Sequence, residues 1–162
     1  MHSGVEPDVM ALAKGLGGGF PVGACLTTEA VGKAMVVGTH GSTFGGNPLA
    51  MAVSNAVMDL LLEPGQLNEV ERKADYFRKH LQRLVEHFPE VVVSVHGLGL
   101  MVGLKCKVPN TDMLNKLREK KLVVGTSGAN MIRLLPPLNV SDEHLANALG
   151  IIEEALQEFH DA

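Results

Sequence analysis

Cysteine is scarce in this chain, with Cys25 and Cys106 the only two among 162 residues. That excludes a disulfide framework and fits a reducing, cytoplasmic setting. A positive excess is missing too, since 14 Lys and Arg stand against 18 Asp and Glu, a net charge of −4. The basic residues are scattered and do not form the stripe that phosphate backbones select, so no nucleic-acid partner is expected. Apolar runs such as Leu49 to Val53 fall far short of the roughly 20 residues that cross a bilayer, so no membrane span is expected. The N-terminal Met1-His2-Ser3-Gly4 has neither the basic nor the apolar stretch of a secretory leader. What is present is a chain 46% apolar and 20% charged, enough for one domain with a core and marginal for two. Its 18 glycines exceed the usual ~7% and cluster in the first third.

Two short apolar runs in that glycine-rich third, Val9 to Ala13 and Val22 to Leu26, are bounded by Gly or Pro and read as buried strands ending in loops. Asn47-Pro48 then supplies a helix cap followed by proline at the first helical position. The almost uncharged run to Leu62 predicts a helix buried on all faces. From Leu67 the pattern changes: Val70, Ala74, Phe77, Leu81, Leu84 and Phe88 recur at steps of three and four between charged residues, the mark of an amphipathic surface helix. Strands are predicted at Val91 to Val95 and Leu98 to Leu104, then a helix over Thr111 to Lys121 with Leu114 and Leu117 inward. Two more strands, Leu122 to Val124 and Met131 to Leu135, flank the turn-rich Gly125 to Gly128. Ser141 caps a last helix with Leu145, Ala148, Leu149, Ile152 and Leu156 on one face. From Val91 onward the order is ββαββα, an α+β layer.

Chemistry concentrates in three places. Lys14 sits between an apolar run and Gly15-Leu16-Gly17-Gly18-Gly19. An amine partly desolvated at the end of a buried strand is a better nucleophile towards a carbonyl and can form a Schiff base. The alternative is a lysine whose stem lies along apolar surface with its ammonium in water. Neither G-x-G-x-x-G nor G-x-x-x-x-G-K-[ST] accounts for the glycines, because Phe20 stands where the first needs its last glycine and the second does not occur. Gly41-Ser42-Thr43-Phe44-Gly45-Gly46 precedes the predicted helix at Pro48, and hydroxyls with free backbone N–H groups at a helix start suit a phosphate. An ordinary Ser/Thr turn is the other reading. Arg133 lies in Ile132-Arg133-Leu134-Leu135-Pro136-Pro137-Leu138, suited either to a carboxylate ligand or to an acidic neighbour at a strand edge. His80 and His87, seven apart, have no metal-ligand spacing and read as solvated helix positions, so no metal is expected. Cys25 and Cys106 read as small core residues.

Taken in order, Lys14 with its glycine loop, Gly41 to Pro48 and Ile132 to Leu138 resemble three motifs of the class III (ornithine-type) pyridoxal-phosphate aminotransferases of fold type I. Ala13 to Pro21 and Val95 to Met101 are most similar to the acetylornithine branch, with the ornithine and 4-aminobutyrate branches close to it. The resemblance implies an α/β chain: residues 1–65 as the end of a large cofactor domain, 66–88 as a connecting helix and 89–162 as a small α+β domain. It implies pyridoxal 5'-phosphate as cofactor, held by Lys14, which also moves a proton on the substrate. By position Thr43 would contact the cofactor phosphate across a homodimer interface, Ser42 would lie near the substrate, and Arg133 would grip the substrate α-carboxylate. The implied reaction takes the δ-amino group of N-acetylornithine, an amino acid, to 2-oxoglutarate, a 2-oxo acid, in arginine biosynthesis. The resemblance covers only the C-terminal part of that family. An upstream phosphate loop, a ring-stacking aromatic, a second substrate arginine and an Asp-x-x-Gln element have no counterpart here, and Asp8 does not replace the last. The chain is therefore expected to be inactive alone; the other expectation is a non-catalytic remnant that associates with a full-length subunit.

Overall fold

In the computed structural model, which describes residues 4–162, the chain divides into two compact units, one ending at Gln66 and the other spanning Leu67–Ala162. The first unit opens with an antiparallel ribbon of β1 (Val9–Leu12) and β2 (Ala24–Thr27), with Val9 opposite Thr27 and Leu12 opposite Ala24. A single 3-10 turn, Lys14–Gly17, follows β1, and the short helix α1 (Glu29–Gly32) follows β2. The longest element of this unit is α2 (Pro48–Leu62). Its cap forms as the sequence predicts: the Asn47 side chain accepts from the Ala50 N–H at 2.9 Å, with proline at the first helical position.

Burial in this unit departs from the sequence reading. Every residue of β1 is exposed, β2 is exposed up to a half-buried Thr27, and of α2 only Ala50 is fully buried. Leu60 and Leu62 are 59% and 70% exposed. Apolarity in a sequence records which side chains water rejects, not whether a covering layer is present. A two-stranded ribbon and one long helix offer too little surface to cover one another. Cys25, expected in a core, is exposed on β2 for the same reason.

The second unit is built differently. α3 (Gln66–His87) turns Ala74, Phe77, Leu81, Leu84 and Val85 inward, as its periodicity predicts. β3 (Val92–Leu98) and β4 (Met101–Cys106) form a hairpin that turns at Gly99-Leu100, later than the expected His96-Gly97; Gly97 is instead paired opposite Val102, and both Gly97 and Gly99 have positive φ. A Cβ at Gly97 would collide with the Met101 carbonyl oxygen, so this position requires glycine. α4 (Asn110–Glu119), β5 (Gly125–Ser127), β6 (Met131–Leu134) and α5 (Asp142–His160) complete the ββαββα order, with the sheet arranged β3-β4-β6-β5 and every pairing antiparallel. Ser141 caps α5 by accepting from the His144 N–H at 3.1 Å. Val102, Leu104, Ile132 and Leu134 alternate onto the covered face and join the helices' apolar residues in one core, with Cys106 beside them. Burial pushes the Cys106 thiol up to about 11, which keeps it protonated and inert.

Two local differences have clear causes. The strand expected at Leu122 to Val124 begins instead at Gly125, because Leu122 is still engaged in ending α4. Its N–H bonds the Leu117 carbonyl at 2.9 Å and the Lys121 N–H bonds Arg118 at 3.0 Å, a Schellman closure. Lys121 takes the left-handed position, φ 68°, where glycine usually signals the stop. The inward residues of α4 are Met113 and Leu117, with Leu114 only half-buried. The β5–β6 turn falls at Gly128 to Asn130. Asn130, at φ 58°, donates through Nδ2 to the carbonyls of Cys106 and Val108, and its Oδ1 accepts from the Asn110 N–H, all at 2.8 Å.

Candidate functional site

Lys14 begins the 3-10 turn immediately after β1, and its own backbone is left-handed at φ 56°. A side-chain-bearing residue held there is strained, by about 1–2 kcal/mol. The following glycines make the turn possible. Gly18 closes it in the left-handed region, and a Cβ at Gly17 would lie 2.6 Å from Val22 Cγ1. A Cβ at Gly18 would lie 3.0 Å from Val57 Cγ2 on α2, so the turn packs closely against that helix. Lys14 itself is exposed, which removes the desolvation expected at the end of a buried strand.

The other end of α2 receives the second motif. Ser42, Phe44, Gly45, Gly46 and Asn47 line a cleft of about 220 Å³ with Pro21, Val22 and Gly23, which follow the lysine turn. Both motifs are thus brought to one helix within one unit, although neither Lys14 nor Thr43 lines that cleft. The helix start is less open to an anion than the sequence suggests, because Asn47 occupies the Ala50 N–H and donates through Nδ2 to the Phe44 carbonyl at 2.8 Å. Among the described residues, the Ser42 and Thr43 hydroxyls make no hydrogen bond within the chain, and both residues are exposed.

Arg133 belongs to the second unit. It stands on β6 between Ile132 and Leu134, which are buried, so its side chain projects from the uncovered face of the sheet. Its register partners are Gly103 on β4 and Gly125 on β5. No acidic side chain pairs with it among the described residues, so the acidic-neighbour alternative is not realised. The sequence reading overlooked the glycine on either side of it, a signal that depends on strand register.

Residues 1–156 match the sequence family described as aminotransferase class-III. The chain belongs to the class-III aminotransferases. It is 51% identical to an acetylornithine aminotransferase of Mesorhizobium japonicum over 99% of its own length and 40% of that protein's. Against an acetylornithine aminotransferase of Clostridium acetobutylicum the identity is 44%, over 94% of this chain and 40% of the relative. Among solved structures, an acetylornithine aminotransferase from Elizabethkingia anophelis superposes with a TM-score of 0.88 at 33% identity, over 97% of this chain and 40% of that one. An ornithine aminotransferase from Toxoplasma gondii gives 0.91 at 29% identity, over 99% and 39%. This class-III chain therefore spans about two fifths of the length of the relatives it matches, and its α/β fold is a part of theirs.

The charge pairs with short contacts in this class-III chain link its helices. Lys116 on α4 and Lys120 at its C-cap reach Glu158 on α5 at 2.9 and 2.7 Å, and these hydrogen-bonded ammonium groups hold the Glu158 carboxyl down to about 2. Arg72 hydrogen-bonds Glu69 and Asp142, tying α3 to the start of α5, and lowers Glu69 to about 2. Among the described residues no cluster of His, Cys, Asp or Glu could hold a metal ion, and no helix is long and apolar enough to cross a membrane. His80 is half-buried, with Nδ1 2.9 Å from the Tyr76 carbonyl, and so is not the freely solvated position expected.

Proposed function

We propose that this chain is the C-terminal portion of a cytoplasmic, homodimeric pyridoxal-phosphate aminotransferase that moves the δ-amino group of N-acetylornithine to 2-oxoglutarate. In this reading residues 1–65 end the large cofactor domain, 66–88 form the connecting helix and 89–162 the small domain. The observation that carries it is the strained, exposed Lys14 on a glycine turn packed against the helix that the Ser42-Thr43 loop precedes. Strain of this kind persists where the surrounding structure over-determines a functional posture. Identity of 51% to a protein named acetylornithine aminotransferase supports this amino donor over the other branches.

The residues present suit one side of the cofactor. Lys14 provides an exposed primary amine for its aldehyde, and Ser42 and Thr43 provide hydroxyls without partners among the described residues. Pyridoxal phosphate, when bound, supplies a ring that withdraws charge from the substrate carbon. Lys14 Nζ then holds and returns the proton taken from that carbon, a task for an amine freed from its covalent role. Thr43 would donate to the phosphate of the partner subunit's cofactor, Ser42 would lie beside the acetylated substrate, and the planar fork of Arg133 would donate to the α-carboxylate. Mixing the chain with pyridoxal phosphate, reducing with borohydride and mapping the adduct by peptide mass spectrometry tests the anchor. A stoichiometric adduct on Lys14 that is lost in Lys14→Ala supports it; an adduct spread evenly over surface lysines rejects it.

The exposed apolar surface of α2, together with the chain's two-fifths coverage of its relatives, favours a second reading: a non-catalytic chain that associates with a full-length aminotransferase subunit. Co-purification with such a subunit, without turnover of its own, distinguishes the two.

A further inference from the structure

We propose that Gly125 is a positioning residue for Arg133, giving its guanidinium a bed on β5 in which it lies ready for a carboxylate. The carboxylate part rests on the function proposed above; the posture does not. Arg133 has one register neighbour on each side of the uncovered sheet face, Gly103 on β4 and Gly125 on β5. Cross-strand neighbours normally bring their Cβ atoms to ~4.5–5.5 Å of one another and fill that space. Here both neighbours lack a Cβ, yet the two sides are not equivalent. Over Gly103 the room is already taken, since a Cβ there would lie 3.0 Å from Met131 Sδ. Over Gly125 the guanidinium itself occupies the space. A Cβ there would lie 3.3 Å from Arg133 Nη2, 3.4 Å from Nε and 3.7 Å from Cζ.

Met131 thus closes one side and Gly125 opens the other, and the guanidinium rests on the Gly125 side. Arginine loses rotamer entropy when it is immobilised. A side chain already lying in one posture loses less of it on binding. Among the described residues no carboxylate competes for the fork, and its neighbour in the bed is backbone. Gly125 does not have positive φ, so its backbone accepts other residues, and glycine inside a strand is otherwise unfavourable. A glycine kept there for strand stability alone would be a poor choice. Posture is what its missing side chain provides.

Replacement separates posture from stability. In the isotopically labelled full chain, the Arg133 Nε–Hε NMR signal is assigned by its loss in Arg133→Lys. Gly125→Val is expected to move this signal to the position of a free, mobile arginine, with no fall in the thermal midpoint. Gly125→Ala, whose new carbon is tight by only a few tenths of an ångström, gives a smaller displacement in the same direction and serves if the valine variant does not fold. An unmoved signal in a folded Gly125→Val protein overturns the proposal, as does a wild-type signal already at the free-arginine position. Titration with 2-oxoglutarate is the second arm. A saturable shift of the Arg133 signal that becomes about tenfold weaker in Gly125→Val supports both posture and use. Loss of posture in Gly125→Val, with no response to 2-oxoglutarate in the wild-type chain, upholds Gly125 as the seat of the guanidinium and rejects the carboxylate role.

Discussion

The two units of this chain obey the same rules of secondary structure and reach opposite results in burial. In the second, α3, α4 and α5 close over one face of a four-stranded sheet, and Phe77, Leu81, Met113, Ile132 and Leu156 are all 2% exposed or less. In the first, α2 is capped and regular, yet it leaves Leu49, Leu60 and Leu62 in water. Local signals form an element, whereas a second layer stabilises it. The first unit has its elements without that layer, and it is also the unit that holds Lys14, Ser42 and Thr43.

The largest expected effect is on the cores. Phe77→Ala should cost about 3–5 kcal/mol, because it opens a cavity among residues that cannot collapse into it. Leu60→Ala, at a position 59% exposed, should change stability by less than about 0.5 kcal/mol. Urea denaturation of both variants measures the contrast, and equal losses would erase the distinction between the units. Two asparagines sharpen it further. Asn130→Ala removes three hydrogen bonds and leaves alanine in the left-handed region, an expected loss of about 2–3 kcal/mol. Asn47→Ala removes the α2 cap and one exposed hydrogen bond to the Phe44 carbonyl, about 1–2 kcal/mol, and circular dichroism should show it as fraying of a helix and not as global unfolding.

The smallest effect is on acid stability. Glu158 and Glu69 are held at about 2 in the folded chain against an ordinary 4.5. Their lowered values mean that the folded state gains from both ionised carboxylates above the unfolded-state value. That gain fades as pH falls from there towards 2. Both groups face solvent, so screening keeps the gain small. Glu158→Gln should flatten the dependence of the second unit's thermal midpoint on pH between about 5 and 2, while leaving the spectrum of the first unit unchanged. An unchanged slope would show that the Lys116 and Lys120 pairs are satisfied equally well by water.

Much of this was readable from the residues. The steps of three and four from Val70 to Phe88 and the Ser141 and Asn47 caps each carry a local cause, and each of these elements stands where the pattern put it. The β3–β4 turn, by contrast, falls at Gly99-Leu100 and not at His96-Gly97, because two neighbouring glycines leave its position open. β5 was displaced because α4 ends on a left-handed lysine where glycine would have announced the stop. The exposure of β1 and α2 was not readable, since hydrophobicity does not report the presence of a partner. At the candidate site the motifs named Lys14, Ser42, Thr43 and Arg133 as residues of interest. The left-handed backbone at Lys14 and the glycine bed beside Arg133 arise from φ and strand register, which no spacing within one segment reveals.

The wet apolar surface of α2 also has a calorimetric consequence. The heat-capacity increment on melting records apolar surface newly hydrated, and Leu49, Leu60 and Leu62 are hydrated before melting begins. The chain should therefore melt with a smaller increment than its full length implies. Its stability curve is correspondingly shallow, and cooling should cost it little.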